Sequence, residues 1–183
     1  MNIIADTKKW DIRNAGITGT ILQNTTQNTV AVIGGAVVNN GRDTYEARVS
    51  DYKPTYALLL YGLNDVRLND AAITAAAYEN DISEIINGLV SDGLSVANII
   101  VGSPPYMNPA GYGLFAPWDG GSTVRHEAFV AGAAAAAAAT GATYIDVYQW
   151  MIDNGGNALI SGDNVHPNDA GHSAIADAFL SVV

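Results

Sequence analysis

Thr55-Tyr56-Ala57-Leu58-Leu59-Leu60-Tyr61, followed directly by Gly62-Leu63-Asn64-Asp65, is the stretch on which the fold turns. Its first seven residues carry no charge, and a continuous apolar run of this length reads as a strand covered by helices on both faces. Outward from it, strand-like and helix-like segments alternate. Upstream, Asn2 to Lys9 reads as the end of a helix and Trp10 to Asn14 as a short strand candidate leading into a glycine-bearing loop. Downstream, Ala71 to Leu89 has helical periodicity, with Ile82, Ile85, Ile86 and Leu89 on one stripe. Asn98 to Gly102 is the next strand, ended by Pro104-Pro105; then come a helix over Thr123 to Ala139, a strand over Thr143 to Tyr148 and a last helix from Asn168 to Leu180. This alternation predicts an α/β fold with a mainly parallel sheet.

Val30 to Val38 reads either as a hairpin around Gly34-Gly35 or as an apolar lid. Ser103 to Ser122 is a long loop rich in Gly, Pro and aromatics, of the kind that shapes a binding site. The alanine run Ala133 to Ala139 is read as a helix face packed closely on the sheet. Residues 1–183 form a single domain, with no linker or repeat.

Composition narrows the function classes. Hydrophobic residues at 49% and charged ones at 14% rule out a disordered chain. Eight Lys and Arg against 18 Asp and Glu leave a formal charge of −10, without the clustered cations that phosphate-backbone binding needs, so nucleic acid and an anionic membrane surface are disfavoured. The absence of cysteine removes disulfides, thiolate metal sites and a cysteine nucleophile. No apolar run approaches the roughly 20 residues of a membrane span, and the first ten residues lack the basic-apolar-small order of a signal peptide. Compartment is left open.

Three segments carry chemistry. In Gly162-Asp163-Asn164-Val165-His166-Pro167-Asn168, an Asp three residues before a His can accept the imidazole Nδ1–H, fixing the tautomer and leaving Nε2 as a general base; a solvated capping loop is the plainer alternative. Gly62-Leu63-Asn64-Asp65 stands at the carboxyl end of the best strand, where ligands of open α/β sheets bind. There Gly62 lets a substrate approach the backbone, the Asn64 amide can donate to an oxyanion, and Asp65 can hold the loop by bonds to the backbone; an ordinary turn is the alternative. Asn14 to Gly19 follows the first short strand and offers the Gly19 N–H as a second donor.

Together, in this order, the three segments resemble the SGNH (GDSL-type) hydrolase family. The resemblance implies a flavodoxin-like three-layer sandwich and a serine ester hydrolase without a cofactor. It acts on a small-molecule ester or an acylated carbohydrate. Gly19 and Asn64 take the place of the oxyanion donors, His166 of the base and Asp163 of its orienting acid, with Gly62 and Asp65 supporting. Ser103-Pro104-Pro105 becomes an ordinary family loop.

One family block is missing: there is no Gly-Asp-Ser, and Ser161-Gly162-Asp163 has the wrong order. By the family pattern the nucleophile lies before the Gly19 block, ahead of a helix inside which this sequence begins. The expectation is a member whose first strand and nucleophile turn are missing or replaced, with activity low or lost. Removing such a nucleophile costs about a millionfold in kcat. The family's first strand is central, so its loss exposes strand edges unless Val30 to Val38 or a segment from a second copy fills the gap, and self-association into a homo-oligomer is one outcome. Ser50, Ser103 and Ser161 are the substitutes considered for the nucleophile, Ser103 being the best located.

Two other classes compete. One is a non-catalytic relative that binds an ester or glycan. The other is a metal-dependent hydrolase using Asp163, His166, Asp169 and His172, although His172 is better placed to cap or pack. Tyr106, Tyr112, Phe115 and Trp118 of the long loop are candidates to line an acyl or alcohol pocket. His126 is read as a surface residue, and Arg67 either as a helix-flanking charge or as a contact for an anionic substrate group.

Overall fold

The structure is a computed structural model that describes residues 2–24, 30, 31, 37, 38 and 40–183. Its centre is a three-stranded parallel sheet in the order β3 (Ala57–Leu60), β4 (Ile99–Gly102), β5 (Thr143–Ile145), with Leu59 opposite Val101 and Val101 opposite Tyr144. The run that decided the reading is therefore a strand, and alternation along it sorts side chains into two cores. Ala57, Leu59, Ile99, Val101 and Tyr144 face a layer built from α2 (Gly41–Arg48), α4 (Ala75–Ser91) and α5 (Thr123–Thr140). Leu58, Leu60, Ile100 and Ile145 face α1 (Asn2–Lys8), α6 (Val147–Asp153) and α7 (Asp169–Leu180). The result is the expected three-layer sandwich, and all four residues of β4 are buried.

Local chemistry sets the element ends. Thr74, Ser122 and Asn168 cap α4, α5 and α7, each side chain accepting the N–H three residues on. Helix α5 stops at Gly141, whose φ of +81° is left-handed. The alanine face of α5 is wholly buried at Ala133, Ala136 and Ala137, and a Cβ at Gly132 would come 3.1 Å from the Ala75 carbonyl of α4. Small residues here let α4 and α5 lie side by side.

Three expectations need correction. The strand read over Thr143 to Tyr148 ends at Ile145, because Asp146 accepts the Gln149 N–H and starts α6. Trp10 to Asn14 is irregular rather than a strand; Trp10 instead stacks on Tyr56, with ring centroids 4.4 Å apart. Within Val30 to Val38, β1 (Val30–Ala31) and β2 (Val37–Val38) pair antiparallel with each other as a hairpin. Gly34-Gly35 lies outside the described residues. Those two strands form their own sheet, so among the described residues no strand lies on the outer edge of β3 and the hairpin does not replace the family's first strand. Helix α2 is capped by Asn40. Among the described residues no helix is long and apolar enough to cross a membrane.

Candidate active site

The chain leaves β3 through Gly62, whose φ is +108° and where a Cβ would sit 2.8 Å from the Tyr78 ring and 2.9 Å from Pro104. Only glycine meets both demands. The turn opens α3 (Leu63–Arg67), a five-residue helix presenting Asn64, Asp65 and Arg67. Asp65 is fully buried and reaches 43 residues back: its carboxylate accepts the Leu22 N–H at 2.8 Å and the Gln23 N–H at 3.1 Å. Burial pushes its pKa up to about 6 against the opposing pull of those hydrogen bonds. Asn64 Nδ2 donates to the Thr20 carbonyl at 2.9 Å. Thr20 Oγ1 also hydrogen-bonds the Tyr61 hydroxyl. The Asn64 bond brings its amide to the Thr20–Ile21 peptide, and Gly19, one residue before Thr20, takes a left-handed φ of +77°.

Arg125, in the first turn of α5, locks this arrangement from below. Its guanidinium donates to the carbonyls of Val66 at 2.9 Å, Asp65 at 3.1 Å and Ile73 at 2.8 Å. No pattern in the sequence marks Arg125 for this task. Its neighbour His126, read as a surface residue, is completely buried. His126 shares a helical stripe with Phe129 and Ala133, the signal that could have placed it inside. Its ring nitrogens meet the Tyr112 hydroxyl at 2.8 Å and the Pro104 carbonyl at 3.3 Å. Desolvation lowers its pKa to about 4, so it is neutral and serves packing.

The second half of the site is the loop before α7. Asp163 Oδ2 lies 2.6 Å from His166 Nδ1, while Oδ1 accepts the N–H groups of Val165 and His166, both at 2.9 Å. These bonds, led by the one to the imidazole, hold the Asp163 carboxyl at about 2. The His166 side chain is 73% exposed, so its ring is fixed on the Nδ1 side and open elsewhere. Asn164, at a left-handed φ of +65°, turns the loop, and its side chain accepts from Asn108 of the long loop at 3.0 Å. Val165 anchors the loop in the same core cluster as Val66 of α3. Among the described residues no direct hydrogen bond joins the His166 group to the Asn64 group.

The candidate serines are committed elsewhere. Ser103 is fully buried, donating to Asp146 at 3.1 Å and accepting the Tyr148 N–H at 2.9 Å. Ser50 hydrogen-bonds Asp92, and Ser161 donates to the His166 carbonyl at 2.7 Å. Among the described residues no three His, Asp or Glu side chains converge as metal ligands, so the tetrad Asp163, His166, Asp169, His172 does not assemble. Of the four loop aromatics, Tyr112 is buried against His126, and Tyr106 packs on Tyr148 and donates to Asn157 at 2.6 Å. Phe115, 59% exposed, and half-buried Trp118 stay accessible. A small cleft at the C-terminal end of α4 is lined by Ser50 and its partner Asp92 together with Leu89 and Leu94.

The structure resembles a lipase/acylhydrolase from Enterococcus faecalis (TM-score 0.65, 22% identity, covering 78% of this chain and 67% of that one). It also resembles a catalytic mutant of an acetylxylan esterase from Geobacillus stearothermophilus (TM-score 0.58, 23% identity, 79% of this chain and 70% of that one). A third likeness is to a GDSL-like lipase from Bacteroides thetaiotaomicron (TM-score 0.62, 17% identity, 77% and 67%). At these identities the likeness is one of fold. No curated protein matches the sequence. The family itself is identified by residues 3–174, nearly the whole length: the chain belongs to the GDSL-like lipase/acylhydrolase family.

Proposed function

We propose that this chain carries the base and the oxyanion donors of a carboxylic ester hydrolase of the Ser-His-Asp type. The observation that carries the reading is the Asp163–His166 pair, with Nδ1 held at 2.6 Å and the rest of the ring open to solvent. In the reaction, His166 Nε2 takes the proton of an attacking hydroxyl as its oxygen bonds to the ester carbonyl carbon. The carbonyl π electrons move onto oxygen, which the Gly19 N–H and the second N–H of the Asn64 amide then bind. Collapse of this intermediate expels the alcohol, protonated by the His166 imidazolium; water repeats the sequence to release the acid. Gly62 and Asp65 support the donors by fixing α3. The substrate class is a small-molecule ester or an acylated carbohydrate.

The attacking serine is the missing part. The sequence contains no Gly-Asp-Ser, and we infer that turnover by the chain as given is low or lost. A second reading, a non-catalytic relative that binds an ester or glycan, is favoured by the way Ser50, Ser103 and Ser161 spend their hydroxyls on other partners. We also propose that the outer edge of β3 is where copies would associate.

Labelling with a serine-directed fluorophosphonate, mapped by mass spectrometry, separates the readings. Modification of one serine, lost in His166→Ala, supports a hydrolase with a substitute nucleophile. Saturable ester binding without modification or turnover supports the binding relative. Neither labelling nor binding would remove the ester site altogether.

A further inference from the structure

The five arginines of the chain are accommodated very differently. Arg42 pairs with Glu84 at 2.5 Å, Arg48 donates to the Ala15 carbonyl at 2.8 Å, and Arg13 lies over the Tyr52 ring. Arg125 feeds the backbone carbonyls already described. Arg67 is the exception. It is only 6% exposed, yet its guanidinium makes no hydrogen bond to any described residue, and its Nε is sealed from solvent without a partner. A buried donor left unsatisfied is costly, more so in a cation, and such a group calls for a partner supplied from outside.

Its position says where that partner would sit. Arg67 follows Asn64 by three residues on α3, so both lie on one face of the helix. The ring of Trp118 flanks the guanidinium, with its centroid 5.8 Å from Cζ. The His166 loop is close by, Val165 sharing a core cluster with Val66 and Trp118. Asp163 is the acid whose charge reaches Arg67.

We propose that Arg67 is a specificity-determining residue that binds a carboxylate of the substrate, so that the ligands of this site are esters carrying a free carboxylate on one arm. A guanidinium flanked by an aromatic ring still offers its edge, and a planar pair of oxygens matches that edge in a way a single neutral carbonyl does not. The chain's charge of −10 repels anions at a distance, so any preference for an anionic ester has to be made locally. Arg67 is the buried, unspent cation available for it. This inference rests on the ester-binding reading above.

The test compares two esters that differ in charge, monomethyl succinate and dimethyl succinate, titrated at low ionic strength into protein labelled with nitrogen-15. The Arg67 Nε–H and Trp118 indole resonances are followed while methanol release is measured in parallel. The half-ester is expected to bind about tenfold more tightly than the diester, in line with one charge-assisted hydrogen-bonded pair. Its binding should move both resonances; Arg67→Met should erase the preference and Arg67→Lys should keep part of it. Equal affinities in the wild-type protein overturn the inference without recourse to any variant. So does a preference that survives in an Arg67→Met protein of unchanged melting temperature. Equal turnover of both esters removes the inference and leaves the hydrolase reading intact. Preferential binding of the half-ester without turnover upholds the inference and removes the hydrolase reading.

Discussion

Asp65 and Asp163 stand on the two sides of the site and do similar work by opposite physics. Each carboxylate accepts two backbone N–H groups, Asp65 from Leu22 and Gln23, Asp163 from Val165 and His166. Yet burial raises the pKa of Asp65 to about 6, while Asp163, bonded to the imidazole and half exposed, is held at about 2. The backbone bonds pull both values down; desolvation overrides them only where water is excluded. Reach differs as well. Asp163 ties a loop to itself over three residues, whereas Asp65 joins segments 43 residues apart. One side of the site is thus a local device that folds with its own loop, and the other exists only once the domain has assembled.

The largest expected effect follows from that asymmetry. Asp65→Ala leaves the Leu22 and Gln23 amides buried without an acceptor, and at about 2 kcal/mol for each orphaned donor the loss of stability should be about 4 kcal/mol. Urea denaturation measures it. A loss under 1 kcal/mol would mean that Asp65 is not the tie between α3 and the Gly19 segment.

The pH dependence sharpens the contrast, because the two aspartates act with opposite sign. The ordinary value for both is 3.8. With its folded value at about 6, Asp65 gives stability that is fully present below 3.8 and is lost as pH rises through 6. Asp163, depressed to about 2, gives stability that is present above 3.8 and is lost as pH falls through 2. Comparing wild type with Asp65→Asn from pH 4 to 7 isolates the first term. The wild type alone should lose on the order of 3 kcal/mol across that window. A difference that stays flat with pH would place the Asp65 carboxyl near its ordinary value and undo the contrast.

Arg125→Met should come next, at about 2 kcal/mol, because the carbonyls of Asp65, Val66 and Ile73 lose a charged donor while some regain water. It should also tighten proton binding at Asp65, since a cation beside the carboxylate is removed. The check is the same pH series on the variant, whose stability should begin to fall at the same pH, set by the ordinary value of 3.8, and go on falling to a higher pH than that of the wild type.

How much of this was legible beforehand follows the same division. Asp163-x-x-His166 was readable because its partners are three residues apart and the geometry is local. The strand at Ala57–Leu60 was readable from an apolar run. Which segment Asp65 would hold was not, because 43 residues of chain separate it from Leu22. Arg125 was invisible for the same reason, its acceptors being carbonyls, which carry no sequence. His126 reads as a surface residue beside Arg125 at a helix start, yet its register with Phe129 carries it inside. The hairpin at Val30–Val38 was half legible: its pairing followed from its apolar flanks, but whether it would join the main sheet was a tertiary choice.

The smallest effect is the most discriminating for function. Asp163→Asn removes a surface charge and leaves an isosteric side chain that still accepts the Val165 and His166 amides through its carbonyl oxygen, so stability at neutral pH should fall by less than about 1 kcal/mol. What changes is the imidazole. The carboxylate accepts a hydrogen bond from Nδ1–H at 2.6 Å and so keeps the ring in the tautomer whose Nε2 is bare. An amide can turn its NH2 toward the same nitrogen and donate to it, which favours the opposite tautomer, with the proton on Nε2 and no base facing outward. Nitrogen-15 spectra of the His166 ring should therefore show the protonated position moving from Nδ1 to Nε2, in a protein whose melting temperature barely moves. An unchanged tautomer would mean that Asp163 does not set the tautomer of His166 and that the pair is a capping arrangement for the loop. A large loss of stability would mean instead that this side of the site is as dependent on the assembled domain as the Asp65 side, and the two aspartates would no longer differ in kind.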